Sequence, residues 1–347
     1  MKIGILTHPQ HANYGGILQC YALSKYLENL GHEPIVIRRE PNKPIIIKKW
    51  ILSVLRGLRI PRYYQSNRID RTVNIRPFVE GCLNRTHPVC SNKQMFRICK
   101  EYNLDAVIVG SDQVWRSSFA KEYGYNYFLD FVPEDVVKLS YAASFGISDW
   151  QYTSEESKKI CSLIQRFTSV SVREEEAVSL CKTKMCVDAE WLIDPTLLLT
   201  SQEYSVVTNP RRINERYVFV YWLGDKSQIN EELVKYKNVG YKIVELYLRD
   251  EQEQMSVQDW LSYIKYADKI ITDSFHGIVF SILFEKSFSI YKNESGGVGR
   301  LFSLMKLLGL SSSIDSENEL DYVALSEKLG NLREKSKIYL TKSLIRN

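Results

Sequence analysis

The sequence predicts an α/β protein with two halves, each built from alternating strands and helices. Short segments rich in valine and isoleucine alternate with segments of helical period along most of the chain. The alternation stops in a polar stretch, Thr200–Glu215, which contains proline, and then resumes. The chain of 347 residues is also longer than a typical domain with a single hydrophobic core. These observations indicate two α/β units joined by a linker.

Composition narrows the class of protein. The apolar fraction of 44% and the charged fraction of 25% are typical of a soluble globular protein, and the net charge of +5 selects no partner. Seven cysteines without CxxC or CxxH spacing argue against a disulfide framework or a zinc site, so we predict no bound metal. No apolar run reaches the ~18 residues of a membrane span, and the N-terminus is too short in apolar residues for a signal peptide. The sequence therefore predicts a cytoplasmic protein.

The chain opens with a predicted strand, helix and second strand within residues 2–38. The loop before this helix contains Asn13, Gly15 and Gly16, and the glycines allow a ligand to approach the backbone at the helix N-terminus. The pattern is not GxGxxG and no acidic residue follows at the ribose-binding distance, so a dinucleotide is disfavoured. We take these three residues as candidate ligand-binding residues. A tight strand–helix turn is the alternative.

Residues 43–71 interrupt the alternation with a basic, amphipathic segment. Lysines and arginines alternate there with aliphatic residues, Trp50 and two tyrosines. A segment of this kind can lie on an anionic membrane surface. A helical insertion that packs its apolar side on the domain explains the pattern equally well. Nucleic acid is disfavoured as a partner, because no recognised binding motif accompanies the charge.

A second candidate site loop follows the strand predicted over Asp105–Val109. Ser111, Asp112 and Gln113 are small or polar, and the carboxyl ends of strands are where α/β sheets bind ligands. Trp115 ends this turn. We expect it to line the cleft with the others, and the alternative is a buried indole whose N–H group is satisfied inside the core.

Arg173 is placed where a strand predicted over Ser169–Val172 turns into a helix that begins with glutamates at positions 174–176. Acidic side chains suit the positive N-terminal end of a helix, whereas an arginine there is unfavourable. We therefore expect Arg173 to bind a ligand or to form an ion pair.

The two strand–helix series set the predicted domain boundaries. Residues 1–200 form the N-terminal domain, with the basic insertion near residues 43–71, and residues 201–215 form the linker. Residues 216–315 form the C-terminal domain. Residues 316–347 are largely charged and helical, and we expect a C-terminal helix that lies across the junction.

The stretch 270–277 has the pattern of a ligand-binding turn in the second half. Two isoleucines end a predicted strand, Asp273 and Ser274 are natural N-caps, and the helix that follows is almost wholly apolar. A helix that is apolar on all faces is buried. His276 would then lie at the mouth of a buried turn, where the helix dipole favours an anion. A histidine there can donate a proton or hold a phosphate oxygen, and a capping histidine bonded to a carbonyl is the alternative.

Five motifs together carry a resemblance to a known family. They are Asn13-Tyr14-Gly15-Gly16, Gly110-Ser111-Asp112-Gln113-Val114-Trp115, Ser171-Val172-Arg173-Glu174, Asp194-Pro195-Thr196 and Thr272-Asp273-Ser274-Phe275-His276-Gly277. In order and approximate spacing they resemble the polysaccharide pyruvyl transferase family over nearly the whole chain. The resemblance implies two Rossmann-like halves that face a cleft, as in GT-B glycosyltransferases. Members with the fuller motif have Arg-Leu-His-Gly at the last site, so the histidine role transfers to His276 and the arginine role has no counterpart at Ser274.

The resemblance also implies the reaction. Phosphoenolpyruvate would be the donor, and a saccharide with a pair of hydroxyls would receive a pyruvate ketal in bacterial surface polysaccharide biosynthesis, with no further cofactor. A donor with phosphate and carboxylate groups requires arginines and helix N-termini more than a metal. His276 is the candidate general acid. The candidate donor-binding residues are Asn13, Gly15, Gly16, Arg173, Ser274 and Arg300. The residues expected to line the cleft are Ser111, Asp112, Gln113, Trp115 and Asp273.

Two further functions are compatible with the sequence. A glycosyltransferase that uses a nucleotide sugar could have the same fold, since a fold does not decide function. It would need a base-stacking aromatic and a ribose-binding carboxylate in the C-terminal half, and the sequence identifies neither. A non-catalytic scaffold bound to sugar or membrane is the second alternative. A lipid-linked acceptor would place the protein at the inner face of the membrane.

Overall fold

Two separate parallel sheets organise the molecule, which we describe from a computed structural model. The structure describes residues 1–41, 70–248, 253–291, 298–310 and 320–345. The basic segment predicted at residues 43–71 lies almost wholly outside the described residues. Within those residues, no helix is long and apolar enough to cross a bilayer.

The first sheet has the strand order β2-β1-β3-β4, and all of its pairs are parallel. A small parallel pair, β5 and β6, continues it, because isolated bridges join Leu139 to Ser169 and Ala143 to Val172. The inner strands are buried on both faces, which explains their continuous runs of apolar residues. The strands are β1 (Lys2–Leu6), β2 (Glu33–Val36), β3 (Ala106–Val109), β4 (Val137–Ser140), β5 (Ser171–Val172) and β6 (Glu190–Trp191).

Four of the seven described helices of the first half begin at a side-chain N-cap. The Asn13 side chain accepts a hydrogen bond from the first turn of α1, and capping boxes at Thr153 and Thr200 begin α5 and α7. Four of the seven helices, α2, α3, α4 and α7, were not predicted from the sequence, and α7 lies within the predicted linker. Helices α4 and α7 have only four and five residues, and α2 and α3 bury only two and three residues. The helices are α1 (Tyr14–Asn29), α2 (Arg76–Cys82), α3 (Asn92–Tyr102), α4 (Ser117–Ala120), α5 (Ser154–Ile164), α6 (Glu175–Lys184) and α7 (Ser201–Ser205).

The second sheet has the order β10-β9-β7-β8 and is also parallel throughout. Its central strand β7 is buried over all six residues. The helix after β9, α10, has eight of its nine residues buried, as the sequence predicted for the segment around His276. The elements are β7 (Tyr217–Trp222), α8 (Asn230–Asn238), β8 (Lys242–Tyr247), α9 (Val257–Tyr266), β9 (Lys269–Thr272), α10 (Phe275–Leu283), β10 (Ser287–Ile290) and α11 (Val298–Leu308).

A last helix, α12 (Tyr322–Leu344), bonds to both halves of the chain. The Tyr322 hydroxyl donates to the carbonyl of Lys286 in the second half. Further along the helix, the Tyr339 hydroxyl donates to the carbonyl of Ser140 in the first half. One buried apolar cluster also contains side chains from both sheets and from α12. The two parallel sheets confirm the predicted α/β class with two Rossmann-like units, and the domain boundaries at residues 200 and 215 stay predictions.

Candidate functional site

The carboxyl ends of strands from both sheets meet at the candidate site. The first sheet contributes the loops after β1, β3 and β5, and the second contributes the turn after β9. Helix α1 begins at this junction, where the Tyr14 ring stacks on Trp260 of α9 with centroids 5.3 Å apart. The Tyr14 hydroxyl also donates to the carbonyl of Met255 at 2.8 Å. The N-terminus of α1 is therefore fixed against the second half.

A buried ion pair between Arg173 and Asp194 forms the floor of the site. Arg173 Nη1 lies 2.6 Å from Asp194 Oδ2, and Arg173 Nε lies 3.3 Å from Glu174 Oε1. Burial alone would raise the pKa of Asp194, but His276, Arg173 and Thr196 together lower it well below its ordinary value. The Asp194 carboxylate is therefore ionised and holds the arginine in one orientation. Only Nη2 of Arg173 makes no hydrogen bond to the described residues.

His276 occupies the first turn of α10 and reaches the same carboxylate. Its Nε2 lies 3.8 Å from Asp194 Oδ2, which is longer than a hydrogen bond. This nitrogen is buried and has no hydrogen-bond partner among the described residues. The next residue towards the N-terminus, Phe275, presents its ring to the Arg173 guanidinium, whose carbon lies 4.8 Å from the ring centroid. His276 and Arg173 therefore share one carboxylate and face one another across the two halves.

Gly15 is what allows His276 to reach this position. A Cβ atom at Gly15 would lie 1.9 Å from His276 Nδ1, a distance that no side chain could tolerate without moving the imidazole. The absence of a side chain thus brings the imidazole against the first turn of α1. Gly16 is less crowded, since a Cβ there would lie 3.4 Å from Asp112 Oδ2, close to an ordinary contact distance. Asn13 is the N-cap and accepts from Gly16 N at 3.2 Å.

Asp112 lies between the charged groups of the site. It is 5% exposed, and burial alone would raise its pKa, but His8, Arg173, His276 and Arg300 lower it. Arg300, in α11, has its pKa lowered to about 10 by burial and by the charge of Arg173. Both candidate cations, Arg173 and Arg300, and His276 therefore lie close enough to Asp112 to lower its pKa.

Ser111 and Gln113 support the loop that carries Asp112. Ser111 is fully buried, and its Oγ donates to the carbonyl of Ala142 at 2.9 Å and lies 3.3 Å from Asp194 Oδ2. Gln113 N donates to Asp112 Oδ1 at 2.8 Å, and Gln113 Oε1 accepts from Arg116 Nη1 at 2.9 Å. The loop after β3 is therefore bonded both to the Asp194 carboxylate and to Arg116.

Trp115, Ser274 and Asp273 have structural contacts. Trp115 is fully buried in the core and its Nε1 donates to the carbonyl of Tyr127, so the indole does not line the cleft. This is the buried alternative that the sequence left open. Ser274 is the N-cap of α10 and accepts from Gly277 N at 3.4 Å. Asp273 Oδ1 accepts from the backbone N–H of Leu223 at 2.7 Å and so joins the ends of β9 and β7.

His8 and Arg116 were not singled out by the sequence, although both follow strands of the first sheet. His8 Nδ1 is 3.2 Å from the Tyr127 hydroxyl, and His8 lowers the pKa of Asp112. His8 Nε2 and Arg116 Nε are buried and lack a hydrogen-bond partner among the described residues. Their position after a strand end was the available signal. Buried polar atoms without a partner are rare in folded proteins, so these two atoms are candidates for contact with a ligand.

Comparison with known proteins connects this geometry with a family. Residues 13–295 match the sequence profile described as polysaccharide pyruvyl transferase, which covers most of the chain. The chain belongs to the polysaccharide pyruvyl transferase family. Membership confirms the predicted family and indicates a transferase. No curated protein matches the chain in sequence.

Solved structures resemble this pyruvyl transferase family member in fold. Arabidopsis thaliana UGT89C1 complexed with UDP-L-rhamnose superposes with a TM-score of 0.51 at 8% identity, over 99% of this chain and 98% of that one. The UDP-GlcNAc 2-epimerase from Methanocaldococcus jannaschii gives a TM-score of 0.50 at 11% identity, over 96% of this chain and 92% of that one. At these identities the likeness concerns the fold, and it confirms the GT-B-like arrangement.

Proposed function

We propose that the protein transfers the enolpyruvyl group of phosphoenolpyruvate to a pair of hydroxyls on a saccharide, which yields a pyruvate ketal. One observation carries the proposal. Arg173 Nη2 and His276 Nε2 are both buried without a hydrogen-bond partner among the described residues, and both groups face the Asp194 carboxylate. Leaving such donors unsatisfied costs free energy that a bound anion would recover. Family membership supports a saccharide acceptor.

The phosphate and carboxylate of the donor suit the three sources of positive potential at the junction. Arg173 supplies a fixed guanidinium whose orientation is set by its ion pair with Asp194. Arg300 adds a second charge close enough to act on Arg173 and Asp112. The N-termini of α1 and α10 add the partial positive charge of their dipoles. The Nη1 atom of Arg173 is already engaged, so Nη2 is the part of that arginine that would contact the donor.

The chemistry requires one proton donor close to the methylene carbon of the donor. Protonated His276 delivers its proton from Nε2 to that carbon, and the adjacent carbon becomes electrophilic. One saccharide hydroxyl adds to this carbon, and its proton restores the proton that His276 gave up. The second hydroxyl then displaces the phosphate, which leaves as hydrogen phosphate with the remaining proton. The atoms balance as phosphoenolpyruvate plus a diol giving a cyclic ketal and hydrogen phosphate.

A thermal-shift experiment tests the donor. We expect phosphoenolpyruvate to raise the unfolding midpoint, because a ligand at about a hundredfold its Kd stabilises the folded state by roughly 2.7 kcal/mol. Inorganic phosphate should stabilise less, since it lacks the carboxylate. Stabilisation by a nucleotide sugar and not by phosphoenolpyruvate would point to a GT-B glycosyltransferase. Stabilisation by neither would favour a scaffold and count against the proposal.

A matched pair of variants locates the binding. His276→Gln removes the proton donor but keeps an amide at the junction, and we expect it to reduce the stabilisation by phosphoenolpyruvate. His87→Gln is the control, because His87 is partly exposed and contacts Glu101 and Tyr102, away from the described site. Equal responses from the two variants would place the donor elsewhere.

We also propose that the enzyme acts in the cytoplasm on a saccharide that is lipid-linked, at the inner face of the membrane. Support comes from the sequence of residues 43–71, where basic residues alternate with apolar ones. Sedimentation with vesicles of anionic lipid at low ionic strength tests this. Binding that disappears with added salt is expected, and no binding under either condition would exclude the association.

A further inference from the structure

We infer that Phe119 and the residues beside it form the acceptor subsite, which binds the C–H face of a pyranose ring. Phe119 lies in α4, four residues after the loop that ends at Trp115. Its side chain is 41% exposed, although it is a large apolar residue beside the charged site. The inference deepens the proposed function, on which it rests, by assigning a position for the saccharide.

Two polar side chains flank the Phe119 ring. The His8 ring contacts it edge-on, with centroids 5.3 Å apart and an interplanar angle of 83°. The second neighbour is Arg116, whose guanidinium carbon lies 5.4 Å from the Phe119 ring centroid. Both neighbours have a buried nitrogen without a hydrogen-bond partner among the described residues, His8 Nε2 and Arg116 Nε. An exposed apolar ring between two unsatisfied polar groups is the complement of a sugar, which has apolar C–H faces and a rim of hydroxyls.

Each neighbour is held in place by a second contact. The Tyr127 hydroxyl lies 3.2 Å from His8 Nδ1, and the Tyr127 ring packs edge-on against the imidazole. Arg116 Nη1 donates to Gln113 Oε1 at 2.9 Å. These contacts fix the orientation of both side chains, and His8 Nε2 and Arg116 Nε stay without a hydrogen-bond partner among the described residues. Such preorganised polar groups around an apolar surface are typical of small-molecule sites.

The subsite is electrostatically connected to the donor site. His8 lowers the pKa of Asp112, as do Arg173, His276 and Arg300. Arg116 in turn helps to lower the pKa of Arg300. Arg116 also donates to Gln113, the residue next to Asp112, so the Phe119 ring lies beside the loop that carries Asp112. This placement distinguishes an acceptor subsite from an unrelated exposed aromatic.

Saturation-transfer NMR with a panel of methyl hexopyranosides tests the inference without knowledge of the natural acceptor. The panel is offered to the wild-type protein in the presence of phosphoenolpyruvate and again in its absence. We expect transfer to ring protons of at least one pyranoside, and about tenfold weaker binding to Phe119→Ala. Phe119→Trp keeps an aromatic face and should restore binding. Phe96→Ala is the control, since Phe96 is 58% exposed on α3 and should leave binding unchanged.

The outcomes separate this inference from the proposed function. Phosphoenolpyruvate should stabilise Phe119→Ala as much as wild type, because Phe119 does not contact Arg173 or His276. Pyranoside binding that is equal in Phe119→Ala and Phe96→Ala, or absent from wild type, would overturn the subsite even if phosphoenolpyruvate binds. Phosphoenolpyruvate that fails to stabilise wild type would reject the donor and leave the pyranoside result to decide the subsite independently.

Discussion

The two halves of the molecule contribute to the junction in opposite ways. The first half supplies a buried network of charges, in which Arg173 bonds to Asp194 and Glu174, and Asp194 also accepts from Thr196. The second half supplies an apolar helix that presents one titratable side chain, His276, at its N-terminal turn. The difference indicates a division of labour. The first half fixes charge through many mutual bonds, and the second presents a single histidine whose Nε2 has no hydrogen-bond partner in the part of the chain that the structure describes.

Substitution of His276 is expected to have the largest effect. His276→Ala should lower turnover by roughly 10²- to 10⁴-fold, the usual scale for a lost general acid. His276→Gln should lower it as much, because an amide can donate a hydrogen bond but cannot deliver a proton. Release of phosphate from phosphoenolpyruvate in the presence of a saccharide acceptor is the measurement.

The two His276 variants separate two roles of the histidine. Near-normal turnover in the glutamine variant would restrict His276 to binding phosphate. Near-normal turnover in the alanine variant would remove it from the mechanism. Far-ultraviolet circular dichroism should match wild type in both, since His276 Nε2 makes no hydrogen bond to any residue that the structure describes.

Breaking the charge network of the first half should instead reduce stability. Asp194→Asn leaves Arg173 buried without its main partner, and loss of one member of a buried pair costs about 3–5 kcal/mol. Asp188→Asn is the matched control, because its pair with Lys182 is on the surface and exposed pairs contribute about 0–1 kcal/mol. Urea unfolding of both variants gives the comparison. Equal losses would show that burial of the Asp194 pair does not matter.

The same network predicts a pH dependence. The pKa of Asp194 is lower in the folded protein than its unfolded value of about 3.9. Its contribution is therefore present above about pH 4 and is lost progressively as the pH falls towards the folded value. Unfolding free energies of wild type should fall more steeply below about pH 4 than those of Asp194→Asn. An equally steep fall of the unfolding free energy below about pH 4 in wild type and Asp194→Asn would contradict this assignment.

The contact between the halves at Gly15 should affect turnover more than stability. Gly15→Ala introduces a Cβ into the space of the His276 imidazole, and misplacement of a catalytic group by about 1 Å can cost around a hundredfold in rate. Gly81→Ala is the control, because Gly81 is also helical and a Cβ there would meet nothing within 4 Å. We expect the control to keep full turnover. An unaffected Gly15→Ala variant would mean that His276 does not act from this position.

The smallest effect is expected at the cap of the second-half helix. Ser274→Ala should cost about 1 kcal/mol of stability, as should Thr153→Ala at the cap of α5 in the first half. If Ser274 also binds the donor, its substitution will weaken the thermal shift by phosphoenolpyruvate, whereas Thr153→Ala will not. Identical shifts would leave Ser274 as a cap alone.

The sequence by itself determined the local units of this protein. Hydrophobic periodicity and capping residues predicted the strand–helix units and the buried helix after Ser274. They also predicted that Arg173 and His276 lie where a strand turns into a helix. These features depend on neighbours within a few residues. The helices α2, α3, α4 and α7 were not predicted, because α4 and α7 have only four and five residues and α2 and α3 bury few of theirs. Trp115 shows the limit of a local pattern: its place in a polar turn predicted a cleft-lining residue, whereas the indole is buried in the core.

Only the tertiary structure decided which of these units meet. Asp194 appeared in the sequence as part of a turn, and its contacts with Arg173 and His276 exist because β6 and β9 end at the same junction of two sheets. The closeness of Gly15 to His276, and of His8 and Arg116 to Phe119, likewise depends on packing between distant segments. Local propensity carries no information about such distances, because they are set by the shared hydrophobic core.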